Sequence, residues 1–143
     1  MKQQDLVSTP YRILCVDDEP SVRESASLVL ESEGYEVVTA EDGLDALNRL
    51  SEFTPHLIIS DLRMPNMSGF EFLEIVRKKF PQIPVIAVSG QYVSDGIPDG
   101  LHADVFLQKG GHSITELFRT IEQLLKQPPR RATNECTAAP ELA

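Results

Sequence analysis

Apolar and polar positions alternate along this chain with two periods, and the changes between them mark its elements. The run Arg12–Val16 (RILCV) is apolar and of strand length, and it stops abruptly at Asp17-Asp18-Glu19. Pro20 follows where a first helical turn tolerates a missing N–H. Val22, Ala26, Val29 and Leu30 then recur at helical spacing, and Gly34 closes the segment where glycine accepts a left-handed cap. Residues 35–40 (YEVVTA) predict a second strand. Leu44, Leu47 and Leu50 stripe a second helix that starts near Asp42 and ends before Pro55. Residues 56–60 read as a third strand, after which Ser68 and Glu71 stand at capping-box spacing. The third helix turns Phe72, Leu73, Val76 and Phe80 inward, and Pro81 and Pro84 bracket the turn into a fourth strand, Val85–Ser89.

Beyond Ser89 the pattern weakens. Residues 91–102 occupy the place of a fourth helix, yet Gly96, Pro98 and Gly100 predict one that is short, broken or absent. Val105, Phe106 and Leu107 form a fifth strand ending at Lys109. Ser113 and Glu116 repeat the capping-box spacing, and Ile114, Leu117, Phe118, Ile121, Leu124 and Leu125 give the clearest amphipathic pattern in the chain. Pro128-Pro129 ends it. Residues 1–10 are polar and read as a loose N-terminus, residues 11–126 as one domain, and residues 127–143 as a disordered tail.

Strands apolar throughout, alternating with helices, predict an α/β fold: a parallel sheet covered on both faces by right-handed crossovers. In such sheets the ligand site lies outside the carboxyl ends of the strands, where strand order reverses. That rule gathers Asp17, Asp18, Asp61, Ser89 and Lys109 from four separate segments.

Composition narrows the function. The 143 residues suit a single domain with a real core, and 13 basic against 22 acidic residues leave a net charge of −9. Arg130, Arg131, Glu135 and Glu141 cancel in the tail, so the whole excess belongs to the folded part. An acidic domain is a poor candidate for binding nucleic acid directly; it suits a cation site or a basic partner surface, although an ordinary acidic surface is the commoner meaning. Cys15 sits in an apolar run and Cys136 in the tail, which favours a reducing compartment over a disulfide framework. No apolar stretch approaches the ~18 residues of a membrane span and the N-terminus carries no signal-peptide core, so the expectation is a cytoplasmic protein with no membrane partner.

Three carboxylates sharing a cleft repel one another unless a cation compensates. Mg²⁺ keeps several waters and takes one or two carboxylates together with phosphate oxygens. Adding the Lys109 ammonium and the Ser89 hydroxyl gives a set suited to phosphoryl transfer, with aspartate as an acceptor that forms an acyl phosphate. Each residue alone has a plainer reading. Asp17-Asp18-Glu19 favour a helix N-terminus, Asp61 starts a turn, and a lysine at a strand end is ordinary. Their weight is joint. His56, His102 and His112 have no ligand spacing, Gly110-Gly111 lacks a phosphate-cradling fingerprint, and Met64 and Met67 read as packing residues.

In their order these residues resemble the receiver domain of two-component response regulators, a single-domain, chemotaxis-regulator-like one. The resemblance rests on Asp17-Asp18, the loop DLRMPNMSG at 61–69, Ser89, Phe106 and Lys109, and covers residues 12–126. It implies a flavodoxin-like, doubly wound, five-stranded sheet of order 2-1-3-4-5, and a signalling switch or phosphoryl shuttle rather than a conventional enzyme. Asp61 is then the acceptor for a phosphoryl group from a sensor histidine kinase or a histidine phosphotransfer protein. Asp17, Asp18, Asp61 and the Arg63 backbone carbonyl hold Mg²⁺, Lys109 neutralises the phosphoryl group, and Ser89 moves to bond it. Phe106 is the aromatic switch that follows Ser89, with a plain core role as the alternative, and the output passes to a downstream protein target. Gly90 leaves the pocket open to a donor.

Two departures from the family pattern stand out. Proline usually follows the lysine, often after a cis bond; here Gly110 follows Lys109, and a trans bond is expected because cis before a non-proline costs about 2.5–4 kcal/mol. The broken fourth helix is the second. Two other classes remain as alternatives: a degenerate receiver acting as an interaction module without phosphate, and a metal-dependent phosphohydrolase, which the adjacent Asp17-Asp18 and the lack of room for a cap disfavour.

Overall fold

Apolar side chains on both faces of short strands can be buried only between two helical layers, and the fold follows that demand. The structure, a computed structural model, describes residues 10–90, 100–108 and 113–126. Strands β1 (Arg12–Val16), β2 (Glu36–Ala40), β3 (Leu57–Asp61), β4 (Val85–Ser89) and β5 (Val105–Gln108) form one parallel sheet in the order β2-β1-β3-β4-β5. The helices among the described residues are α1 (Pro20–Ser32), α2 (Gly43–Leu50), α3 (Gly69–Lys79) and α4 (Ile114–Lys126).

Side chains alternate across the sheet into two cores. Leu14, Val16, Ile58, Val85 and Ala87 pack with Ala46, Leu50, Phe72, Leu73 and Val76 of α2 and α3. Ile13, Cys15, Leu57, Ile59 and Ile86 face Leu30 of α1 and Ile121 and Leu124 of α4. Burying each large apolar side chain contributes about 1.5–3 kcal/mol, so these two layers carry the fold.

Helix ends follow the local chemistry. Ser68 caps α3 in a reciprocal capping box with Glu71, Asp42 caps α2 by accepting from the Asp45 N–H at 2.8 Å, and Ser113 accepts from the Glu116 N–H at 3.0 Å ahead of α4. Beyond α1, Gly34 takes φ +94°, the left-handed conformation expected of it.

The structure departs from the sequence reading at Asp61, Leu44 and Ile114. Strand β3 runs one residue further than expected, because Asp61 pairs with Val88 and the Leu62 N–H donates to the Val88 carbonyl at 3.2 Å. Leu44 and Ile114, read as inward, are each 51% exposed. Both stand at the start of their helices, off the buried face, and in α2 that face is made by Gly43, Ala46 and Leu50. In the gap between β4 and β5, residues 100–104 are non-helical; most of the segment expected to hold a broken helix, 91–99, lies outside the described residues, as do Lys109–Gly110, residues 1–9 and the tail. No helix of the described residues is long and apolar enough to cross a membrane.

Candidate functional site

The strand order reverses between β1 and β3, and the acidic residues stand at that point. Val16 pairs with Ser60, so Asp17 emerges beside Asp61. Asp17, Asp18 and Asp61 offer carboxylate oxygens that all lie within 4.8 Å of one another. Asp17 and Asp61 are each 5% exposed, whereas Asp18 faces solvent. Buried carboxylates this close are tolerable only with local donors or a cation, and an all-oxygen set fits a hard divalent ion such as Mg²⁺.

Backbone groups aim each member. The Leu62 N–H donates to Asp61 Oδ1 at 2.8 Å and the Arg63 N–H to the same oxygen at 3.4 Å, while the Ser60 hydroxyl donates to the Asp61 carbonyl at 2.9 Å. Asp17 Oδ1 accepts from the Glu19 N–H at 3.0 Å, its own N–H donates to the Ala40 carbonyl at 3.1 Å, and Arg23 Nη1 donates to its carbonyl at 2.6 Å. Asp61 is therefore the last rung of a strand rather than a residue of a loose loop.

These groups open into a cleft of about 840 Å³, within the roughly 300–1,000 Å³ of ordinary ligand sites. Asp18, Glu19, Asp61, Arg63, Ser89 and Gly90 are on its walls. Ser89 is fully buried at the end of β4, beside Gln108 of β5. The topology thus brings Asp17, Asp18, Asp61, Arg63 and Ser89 together at one end of the sheet. Phe106 is half-buried on the α2–α3 side and packs on the core there. Lys109 lies outside the described residues.

Three residues at the site escaped the sequence reading as site residues. Asn66 donates from Nδ2 to Asp42 Oδ2 at 2.9 Å, which joins the β3–α3 loop to the start of α2. Arg23 holds the Asp17 carbonyl. The available signals were the capping position of Asp42 and the turn-forming Pro65-Asn66 pair, and neither points to the other.

A doubly wound sheet of this order with acids at its switch point defines a class, and comparison with known proteins agrees. Residues 13–126 match the response regulator receiver domain, and the chain belongs to that family. It is 36% identical over 117 residues to response regulator RR06 of Streptococcus pneumoniae, covering 80% of this chain and 53% of RR06. It is 40% identical over 125 residues to the transcriptional regulatory protein GlrR of Escherichia coli, covering 82% of this chain and 27% of GlrR. The chain thus spans about half or less of these relatives' own length. Among solved structures, response regulator TrrA of Thermotoga maritima, in complex with Mg²⁺-BeF, superposes with a TM-score of 0.72 at 36% identity, over 80% of this chain and 98% of that one.

Proposed function

We propose that this chain is a phosphorylation-controlled signalling switch or phosphoryl shuttle in which Asp61 is the acceptor. The observation that carries the reading is the Asp17–Asp18–Asp61 cluster at the switch point, its oxygens within 4.8 Å of one another. A carboxylate oxygen of Asp61 forms the new O–P bond as the donor's P–N bond breaks, and the departing imidazole takes a proton. The product is an acyl phosphate. The donor is a sensor histidine kinase or a histidine phosphotransfer protein.

Asp17, Asp18 and Asp61, with the Arg63 backbone carbonyl, hold Mg²⁺, which when bound offsets the charge spreading over the phosphoryl oxygens. The buried Ser89 hydroxyl donates to a phosphoryl oxygen, and the Lys109 ammonium, one residue past Gln108 in sequence, balances the charge. These residues let the domain promote its own phosphorylation and dephosphorylation. The new contacts select one of two states, and Phe106, half-buried beside the core, moves with Ser89. The output is a protein–protein contact with a downstream target in the cytoplasm. A net charge of −9 disfavours direct nucleic-acid binding.

Incubation with Mg²⁺ and a small-molecule phosphodonor, followed by intact-mass measurement, tests the reading. One phosphoryl adduct is expected, absent in Asp61→Asn. A wild-type chain that acquires none, or an Asp61→Asn chain that still acquires one, overturns it.

A further inference from the structure

The phosphoryl reading assigns no work to the β2–α2 turn, yet that turn and the end of β2 before it touch both segments bearing the acidic cluster. On one side the Ala40 carbonyl accepts from the Asp17 N–H at 3.1 Å. On the other, Asp42 Oδ2 accepts from Asn66 Nδ2 at 2.9 Å. The second oxygen of Asp42 caps α2 through the Asp45 N–H at 2.8 Å, so one carboxylate, only 9% exposed, grips a helix with one arm and the β3–α3 loop with the other.

The loop takes a left-handed turn at this point. Asn66 is the non-glycine residue with positive φ among the described residues, at 70°. The Met67 N–H closes a three-residue turn onto the Pro65 carbonyl at 2.7 Å. Such backbone persists only where its surroundings over-determine it. The surroundings here are Asp42 and its neighbour. The Met67 side chain fills the space beside Gly43, where an added Cβ would meet its Sδ at 2.9 Å. Two successive loop residues thus dock on two successive residues at the start of α2. The loop's ends are tied separately, by the Leu62 and Arg63 N–H groups on Asp61 Oδ1 and by the Gly69 N–H on the Leu62 carbonyl at 3.0 Å.

We infer that Asp42 and Asn66 form a latch that positions the loop of Asp61 and Arg63 against the segment of Asp17 and Asp18, and so sets the affinity of the acidic cluster for Mg²⁺. The inference rests on the Mg²⁺ reading above. Asp42 acts through the loop and is a positioning residue, since both of its oxygens are engaged away from the cluster.

Charge and geometry make opposite predictions for Asn66→Asp. An added carboxylate near a cation site tightens Mg²⁺ binding if only charge matters. It also faces the Asp42 carboxylate across the former hydrogen bond, which opens the latch and weakens binding if geometry matters. Asp42→Asn combined with Asn66→Asp restores the bond with donor and acceptor exchanged, and asparagine still caps α2. The replacement at 66 tolerates the backbone, because aspartate accepts positive φ nearly as asparagine does, and residue 42 is extended.

The experiment is calorimetric Mg²⁺ titration of the full chain, with urea denaturation of each variant alongside. Asn66→Asp is expected to bind about five- to tenfold more weakly than wild type, the loss of one charge-assisted hydrogen bond, and the double variant to return within about twofold. Asn66→Gly, which keeps the left-handed backbone and removes the amide, is expected to weaken binding also and supplies the test should Asn66→Asp not fold. Unchanged or tighter binding in Asn66→Asp, or no recovery in the double variant, overturns the latch. Asp18→Ala separates the two levels. If it weakens Mg²⁺ binding while the latch variants match wild type, the latch alone fails; if wild type binds no Mg²⁺, both fail.

Discussion

The Asp61 carbonyl oxygen lies so close to Gly69 that a Cβ built on the glycine would stand 2.6 Å from it. The same Cβ would lie 2.6 Å from Leu62 Cα and 2.9 Å from Leu62 Cδ2. Gly69 opens α3 directly behind the end of β3, and its N–H donates to the Leu62 carbonyl at 3.0 Å. The helix start and the strand end are therefore in backbone contact, and only the smallest residue fits between them.

Gly69→Ala should consequently be destabilising although alanine is the better helix former by roughly 1 kcal/mol. A backbone-to-backbone clash cannot be relieved by turning a side chain, so a net loss of about 1–3 kcal/mol is expected. It would be read as a lower urea midpoint at unchanged slope. A gain in stability would mean that α3 slides freely against β3.

Particular residues show what was legible in the sequence. Val85–Ser89 has its expected limits because a strand buried on both faces is an unbroken apolar run with polar punctuation. The acidic cluster was legible because a topological rule places strand ends together without any knowledge of side-chain contacts. Asp61 itself was expected just past its strand, because the ladder bonds that hold it, to Val88, are long-range. Leu44 fitted an apolar stripe, but Ala46 packs more closely and the helix rotates to bury it. The Asp42–Asn66 contact spans 24 residues with no periodicity to announce it.

A second prediction concerns Asp104, which precedes β5. Its Oδ2 accepts from the Val85 N–H at 2.8 Å and from Arg77 Nη2 at 3.3 Å, so it pins the start of β4 to α3. Asp104→Ala strands a strand-end N–H and a half-buried guanidinium, and should cost about 2–3 kcal/mol. Arg77 already leaves its buried Nη1 without a hydrogen-bond partner. Arg77→Met removes that unsatisfied group and leaves Asp104 bonded to the Val85 N–H, so it should cost less than Asp104→Ala. Urea denaturation of the two variants gives the ranking, and equal losses would contradict it.

Alkaline pH supplies a third. Burial raises the Tyr35 phenol above its ordinary value of 10.0, with the carboxylates of Glu122 and Glu33 and then Tyr11 adding to the effect. The folded pKa is above the unfolded one, so the unfolded chain releases its proton first. The stabilisation from a neutral phenol is complete below about pH 10 and is lost as pH rises through the folded pKa. Tyr35→Phe should flatten the fall in stability above about pH 10. Denaturation midpoints across that window decide the matter, and parallel curves for the two proteins would exclude Tyr35 as the source.

The last prediction separates the side chain of Arg63 from its backbone. Arg63 is exposed on the cleft wall two residues past Asp61, and its N–H points at Asp61 Oδ1 from 3.4 Å. If its carbonyl serves the cation and its guanidinium only screens the cleft, Arg63→Ala leaves the first role intact and removes the second. Mg²⁺ affinity should then stay within about fivefold of wild type, an exposed charge contributing at most about 1 kcal/mol. Loss of the phosphoryl group should quicken, because water reaches the acyl phosphate past a smaller side chain, by no more than about fivefold. The check is the decay of the phosphorylated chain after removal of the donor, followed by intact mass. Equal decay rates would confine Arg63 to a backbone role, and a matching fall in Mg²⁺ affinity would mean that the side chain shapes the loop rather than guarding it.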